Sequence, residues 1–131
     1  MPLWLSALGL FGALALPQAV PPPRAELRAT MACRSEPGTG RLVCVVELEP
    51  PVGHELTWSD ALVVSAPARA TPLRSRVAGA GRPPRRIVLG FVLGAGAGGR
   101  IEVLARAVAC PTGERAGACV SSSKRVYVDV E

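Results

Sequence analysis

Apolar and polar residues alternate with a period of two through most of the chain beyond residue 25. The alternation runs through residues 25–33 (AELRATMAC), residues 41–49 (RLVCVVELE) and residues 124–131 (KRVYVDVE). A period of two places successive side chains on opposite faces of an extended strand, so that one face can be buried while the other meets water. These segments predict half-buried β-strands, and beyond residue 25 no segment shows the 3.6-residue period of a helix.

More strands are predicted between these segments, separated by turns that contain Gly and Pro. Residues 54–67 (HELTWSDALVVSAP) predict one broken strand or two short ones, and residues 71–79 (TPLRSRVAG) predict another. Residues 85–94 (RRIVLGFVLG) carry apolar residues on both faces, which predicts a central strand, and residues 100–110 add one more. Seven or eight short strands predict an all-β fold: a single antiparallel β-sandwich of immunoglobulin-like topology over residues 26–131.

The four cysteines form two pairs, each of which flanks a turn. Cys33 and Cys44 lie on either side of SEPGTG, and a hairpin through this turn would place them opposite each other. Cys110 and Cys119 flank PTGERAGA in the same way. Two hairpin disulfides are therefore predicted, Cys33 with Cys44 and Cys110 with Cys119. The crossed pairings would instead require the first and last strands to be neighbours.

The N-terminal segment predicts export. The apolar run from Pro2 to Leu16 is short for a membrane-spanning helix and has the length of a signal-peptide core, although no Lys or Arg precedes it. We expect residues 1–19 to be a signal peptide, or an N-terminal anchor if uncleaved, and residues 20–25 to be a Pro-rich spacer. Disulfides persist outside the reducing cytosol, so a periplasmic or secreted bacterial envelope protein is expected.

Residues suited to catalysis or metal binding are sparse. His54 is the only histidine, and it lies in a predicted turn. The serines at 121–123 lack the Gly-x-Ser-x-Gly elbow of a nucleophile, and are predicted to form a polar bulge before the last strand. Zinc binding by the cysteines would compete with their oxidation to disulfides outside the cytosol. We therefore expect no enzyme activity, no metal and no cofactor.

Charge is distributed unevenly along the chain. The net charge is +5, and Arg outnumbers Lys fourteen to one. Residues 61–101 contain seven arginines and no acidic residue. Four of them are predicted to form a face for phosphate or carboxylate groups: Arg74, Arg76, Arg85 and Arg86. The compartment favours a lipid headgroup, a cell-wall polymer or an acidic protein over nucleic acid as the partner. The sequence favours compositional bias toward Arg as the explanation of this cluster, and the anion-binding face is the alternative.

The segment from Cys110 to Val130 resembles the immunoglobulin-like periplasmic domain of bacterial thiol:disulfide interchange proteins, in which a cysteine pair lies near a hairpin and the last strand. The resemblance implies a redox carrier that uses Cys110 and Cys119. Against it, neither cysteine lies in a C-x-x-C motif at a helix start. The sequence favours a non-catalytic binding or scaffolding domain of the cell envelope. A redox carrier and a binder of anionic surfaces are the alternatives, and membrane contact is expected only through an uncleaved N-terminal segment.

Overall fold

The computed structural model describes residues 26–113 and 117–131, so the predicted signal peptide and spacer lie outside the described residues. The described residues form eight β-strands and no helix that is long and apolar enough to cross a membrane. The strands are β1 (Arg28–Glu36), β2 (Arg41–Glu49), β3 (His54–Ser65), β4 (Ala70–Pro72), β5 (Arg76–Ala78), β6 (Arg86–Leu93), β7 (Gly99–Pro111) and β8 (Val120–Val130).

The strands form two four-stranded sheets. Sheet A has the order β1-β2-β6-β4, and sheet B has the order β5-β3-β7-β8. Every pairing is antiparallel. The predicted all-β fold with antiparallel sheets is thus confirmed. The segment predicted to be central is β6, which lies between β2 and the three-residue β4.

The core lies between the two sheets and is built mainly from aliphatic side chains. Alternate residues of β2, β6 and β7 point inward, as the period of two predicts. Phe91 is the only buried aromatic residue among the described ones. The inward positions of β7 taper to alanine toward its end, at Ala105, Ala107 and Ala109.

The β1–β2 hairpin has the predicted register. Cys33 lies opposite Cys44, and Glu36 lies opposite Arg41. The disulfide Cys33–Cys44 joins this pair, with Cα atoms 4.0 Å apart. Cys44 is fully buried and Cys33 packs against the core, so the bridge is part of the sandwich interior.

The second predicted disulfide, Cys110–Cys119, is also present. The β7–β8 ladder ends at the pair Ala109 and Val120, so the bridge forms the next rung beyond it. Each disulfide therefore ties an edge strand, β1 or β8, to its inner neighbour. Neither bridge connects the two sheets. Two disulfides indicate an oxidising compartment.

One local alternative is decided and two local expectations are wrong. Residues 54–65 form one strand with two register shifts, which agrees with the predicted single broken strand. Residues 71–79 do not form one strand, because β4 pairs with β6 in sheet A whereas β5 pairs with β3 in sheet B. The expectation of a polar bulge at residues 121–123 was wrong, because these serines pair regularly with residues 106–108 of β7.

Candidate anion-binding face

A β-bulge in β3 sets the direction of the side chains that form this site. Leu56 points into the core opposite Ala109, and the register then shifts by one residue before Trp58. Because side chains alternate between faces, one extra residue reverses the alternation that follows. Trp58 and Asp60 consequently point to the outer face of sheet B, whereas uninterrupted alternation from Leu56 would have directed both into the core.

On this outer face, the Asp60 carboxylate accepts hydrogen bonds from two arginine side chains. Arg106, directly opposite on β7, donates from Nε to Oδ1 at 2.8 Å and from Nη2 to Oδ2. Arg76, on β5, donates from Nε to Oδ2 at 2.7 Å. The Asp60 side chain has no exposed surface, while the side chains of Arg76 and Arg106 are 58% and 38% exposed. A buried carboxylate thus fixes two arginines that still reach solvent.

The charges of this cluster stabilise one another. The hydrogen bonds from Arg106 lower the pKa of Asp60 below its ordinary value, and Arg76 lowers it further, against the opposing effect of burial. The same contact raises the pKa of Arg106. Asp60 is therefore ionised at neutral pH, and the cluster of one carboxylate and two guanidinium groups carries a net charge of +1.

A shallow cavity of about 350 Å³ lies beside the cluster. Arg106 lies over the Trp58 ring, with its Cζ atom 5.6 Å from the ring centroid, which is within the range of a cation–π contact. The cavity continues across β7 to β8, where Ser121 lies opposite Val108 and Ser123 lies opposite Arg106. An indole, a guanidinium group and hydroxyl groups therefore line the same depression.

Further along the same face, other arginines are paired with acidic residues. Arg125 donates to Glu102 at 3.1 Å. Arg100 donates from Nε to Asp129 at 3.0 Å, and its Cζ atom lies 4.6 Å from the centroid of the Tyr127 ring. Each of these arginines has its own carboxylate, whereas Arg76 and Arg106 share one. Among these ion pairs, only the Asp60 cluster contains more guanidinium groups than carboxylates.

The structure does not bring the four predicted anion-binding arginines together. Arg76 belongs to sheet B and binds Asp60. Arg85 and Arg86 line a groove at the start of β6 together with two acidic residues, Glu47 and Glu49. Arg74 lies between β4 and β5 and lines a separate groove on sheet A. Of the four, only Arg76 contributes to the cluster described here.

The other residues considered from the sequence have local roles. His54 donates from Nδ1 to the Val52 carbonyl at 3.0 Å when that nitrogen carries the proton. Cys110 points to the outer face, where its Sγ atom lies 3.7 Å from the Thr57 hydroxyl oxygen. In residues 26–113 and 117–131, no three His, Cys, Asp or Glu side chains are grouped so that they could hold a metal ion.

Sequence reasoning missed Asp60, Arg106 and Trp58. Their alignment depends on the bulge in β3, and a one-residue change of register leaves only a weak trace in the alternation. A signal was nevertheless present, because Asp60 directly precedes the apolar run ALVV within one predicted strand. Such a residue implies a basic partner on a neighbouring strand, since an unpaired carboxylate is costly to bury.

Comparisons with protein-family models, with curated proteins and with solved structures found no match to this chain.

Proposed function

We propose that the chain is an exported, non-catalytic β-sandwich domain that binds an anionic group of an envelope partner at the Asp60 cluster. The observation that carries the proposal is the geometry of Arg76. Its Nε atom is held by Asp60, and its Nη groups form no hydrogen bond with any residue that the structure describes. A guanidinium fixed at one edge and open at the other is arranged to bind a carboxylate or phosphate.

The neighbouring groups suit a ligand that has both a charge and a flat or hydroxylated part. Trp58 is 38% exposed and offers a surface for stacking. Ser121 and Ser123 add hydroxyl groups that can donate and accept hydrogen bonds. A cell-wall polymer with carboxylate or phosphate groups, or an acidic protein segment, has this chemistry.

We also propose an immunoglobulin-like topology for the fold. The orders β1-β2-β6-β4 and β3-β7-β8 match the A-B-E-D and C-F-G sheets of immunoglobulin domains, with β5 added beside β3. One difference is that β5 follows β4 in the sequence, whereas the strand added beside C normally precedes D. Both disulfides lie within a sheet, unlike the bridge between sheets in antibody domains.

Export to the periplasm or the cell exterior is supported by the disulfides and by the predicted signal peptide. A role in binding or scaffolding rather than catalysis is supported by the contacts of the candidate nucleophiles. Ser121 and Ser123 lie on an edge strand opposite Val108 and Arg106, and neither faces a histidine or a carboxylate across the ladder. These pairs offer no general base for the hydroxyl groups.

The binding proposal is tested by titrating the protein with inorganic phosphate and with a short poly-glutamate, while the indole N–H signal of Trp58 is followed by NMR. We expect the signal to shift with saturation, and we expect Arg76→Gln to weaken binding by about tenfold, because it removes a charged hydrogen-bond donor.

Arg100→Gln is the matched control, since Arg100 also binds an aspartate through Nε and is similarly exposed, at 59% against 58%. We expect it to bind the probes like the wild type. A triple variant with glutamine at 74, 85 and 86 should also retain binding at the cluster, although it loses three charges. Equal losses in all three variants, or no shift of the Trp58 signal, would contradict a specific site.

The redox carrier is the second candidate, and the position of Cys110–Cys119 favours it to a limited extent. Cys119 is exposed, and the bridge lies at the outer end of the sheet rather than in the core. However, neither cysteine begins a helix or has a basic neighbour among its described contacts, and these are the features that make a thiol reactive. We therefore propose a structural role for this bridge.

A further inference from the structure

The outer face of sheet A carries an exposed apolar band. Val88 and Val92 of β6 are 50% and 43% exposed, and Leu73 is 53% exposed. The band is continuous across three strands, because Ala32, Val45 and Val88 occupy one row of the sheet. In the next row the band passes over Gly90, where the Leu73 side chain covers the site that a Cβ atom would occupy. Contiguous apolar surface of this kind commonly marks an interaction site.

The rows at both ends of this face carry charged pairs in opposite arrangements, and between them Glu47, Arg86 and Arg34 also face outward beside the apolar residues. At one end Arg28 of β1 lies beside Glu49 of β2, and at the other end Glu36 of β1 lies beside Arg41 of β2. The two rows are eight residues apart along β1, or about 27 Å. From the first of these rows to the second, the charge therefore changes from positive to negative on β1 and from negative to positive on β2.

This arrangement is complementary to itself. If a second copy is turned by a two-fold axis that crosses the strands at the row of Ala32, Val45 and Val88, each strand lies on its own counterpart with its direction reversed. Arg28 of one copy then lies over Glu36 of the other, and Glu49 lies over Arg41. The row of Ala32, Val45 and Val88 meets its own copy at the centre. In the flanking rows Glu47 of one copy lies over Val43 of the other, one strand away from that copy's Arg34. A two-fold axis parallel to the strands would instead place Glu47 on Glu47, which is repulsive.

We propose that two copies of this chain associate through the outer face of sheet A. A closed two-fold dimer of this kind buries the same patch on both copies. The face measures about 27 Å along the strands and about 15 Å across three strands, from their ordinary spacing, or about 400 Å² per copy, which is below the ordinary size of a stable interface. We therefore expect a dimer that dissociates in the micromolar range rather than an obligate one.

The first test is sedimentation equilibrium of the full chain over a concentration series. We expect a reversible monomer–dimer equilibrium in the wild type and at least a tenfold weaker one in Val88→Lys. Val64→Lys is the matched control, since Val64 is 45% exposed but belongs to sheet B. Circular dichroism establishes that both variants fold. A wild type that stays monomeric throughout, or equal effects of the two substitutions, would overturn the proposal.

The second test uses the charges at the ends of the band. Glu49→Lys should weaken dimerisation, and adding Arg41→Glu should restore it, because the new lysine of one copy would then lie over the new glutamate of the other. Within one copy the double variant creates two like-charge rows, since the lysine lies beside Arg28 and the glutamate lies beside Glu36. Recovery therefore cannot come from a repaired monomer. Failure of the second substitution to restore dimerisation would overturn the two-fold arrangement.

Discussion

Asp60 is the one acidic residue among those described whose side chain is fully shielded from water, and it lies on an outer face rather than in the core. Arg76 and Arg106 both shield it and neutralise it. Removal of the carboxylate would leave two guanidinium groups close together without their counter-ion. Asp60 therefore links the stability of sheet B to the orientation of the groups proposed to bind ligand.

A pH dependence follows from the lowered pKa of Asp60. Because the pKa is lower in the folded state than the ordinary 3.8, the stabilisation is present above pH 3.8 and is lost as the pH falls through the folded value. Asp60→Asn should lower the free energy of unfolding at pH 7 by about 2 kcal/mol, less than for a fully buried pair because both arginines are partly exposed. Urea unfolding at a series of pH values from 7 to about 2 measures this free energy. The difference in the free energy of unfolding between variant and wild type should become smaller as the pH falls.

Asp129→Asn provides the control, because Asp129 also binds one arginine but its side chain is 69% exposed. This variant should differ little from the wild type at any pH. A constant difference between Asp60→Asn and the wild type across the whole pH range would show that the carboxylate charge does not stabilise the fold.

At the scale of single elements, the hairpin of β1 and β2 could be predicted down to its register. Two alternating runs of equal length, a short Gly- and Pro-containing turn and a cysteine in each run all agree on one alignment, which places Cys33 opposite Cys44. The alignment of β3 with β7 could not be predicted in this way. Its partner is about fifty residues away, and the bulge before Trp58 has no characteristic residue, since Thr57 is an ordinary strand residue.

The candidate site shows the same difference between local and distant information. Arg76 was among the predicted residues because arginines cluster in the sequence there, but its true neighbours, Asp60 and Arg106, come from two other strands. The assignment of β4 and β5 to different sheets could not be predicted either. Residues 73–75 between them are too few to suggest that the chain passes from one sheet to the other, and only the pairing of β4 with β6 and of β5 with β3 reveals it.

The Cys110–Cys119 bridge is predicted to stabilise its element and to exchange poorly with redox buffers. Replacing both cysteines with serine should lower the free energy of unfolding by about 3 kcal/mol, from the entropy of closing so short a loop. In buffers of poised potential, a structural bridge should stay oxidised until below about −300 mV. Thiol titration measures the potential at which the bridge is reduced. The Cys33→Ser/Cys44→Ser variant isolates the Cys110–Cys119 bridge in this measurement. Exchange at markedly higher potentials would favour the redox carrier instead.

For the whole molecule, the two outer faces have different chemistry. Sheet B presents paired charges, an indole and hydroxyl groups, whereas sheet A presents an aliphatic band with charged ends. A dimer formed through sheet A would leave both Asp60 clusters on the outside, facing in opposite directions. Two weak anion sites held in this way could act together on a polymeric partner, because the second contact forms at a high effective concentration.

The placement of the disulfides has a mechanical consequence. Both bridges attach an edge strand to its neighbour, and these edge strands are the first and last of the fold. Tension applied at the chain ends reaches Cys33 within β1, but it reaches Cys119 only after all 11 residues of β8 have separated from β7. The bridges exclude sequence separations of 11 and 9 residues from extension, 20 in total, or about 70 Å of contour. Single-molecule stretching should record an unfolding step that lengthens by this amount after reduction. An equal step before and after reduction would show that the bridges bear no load. In the oxidised domain the load would then pass from Cys44 of β2 to Cys110 of β7, across the interface between the two sheets, and the residues enclosed by the two bridges would extend only after reduction.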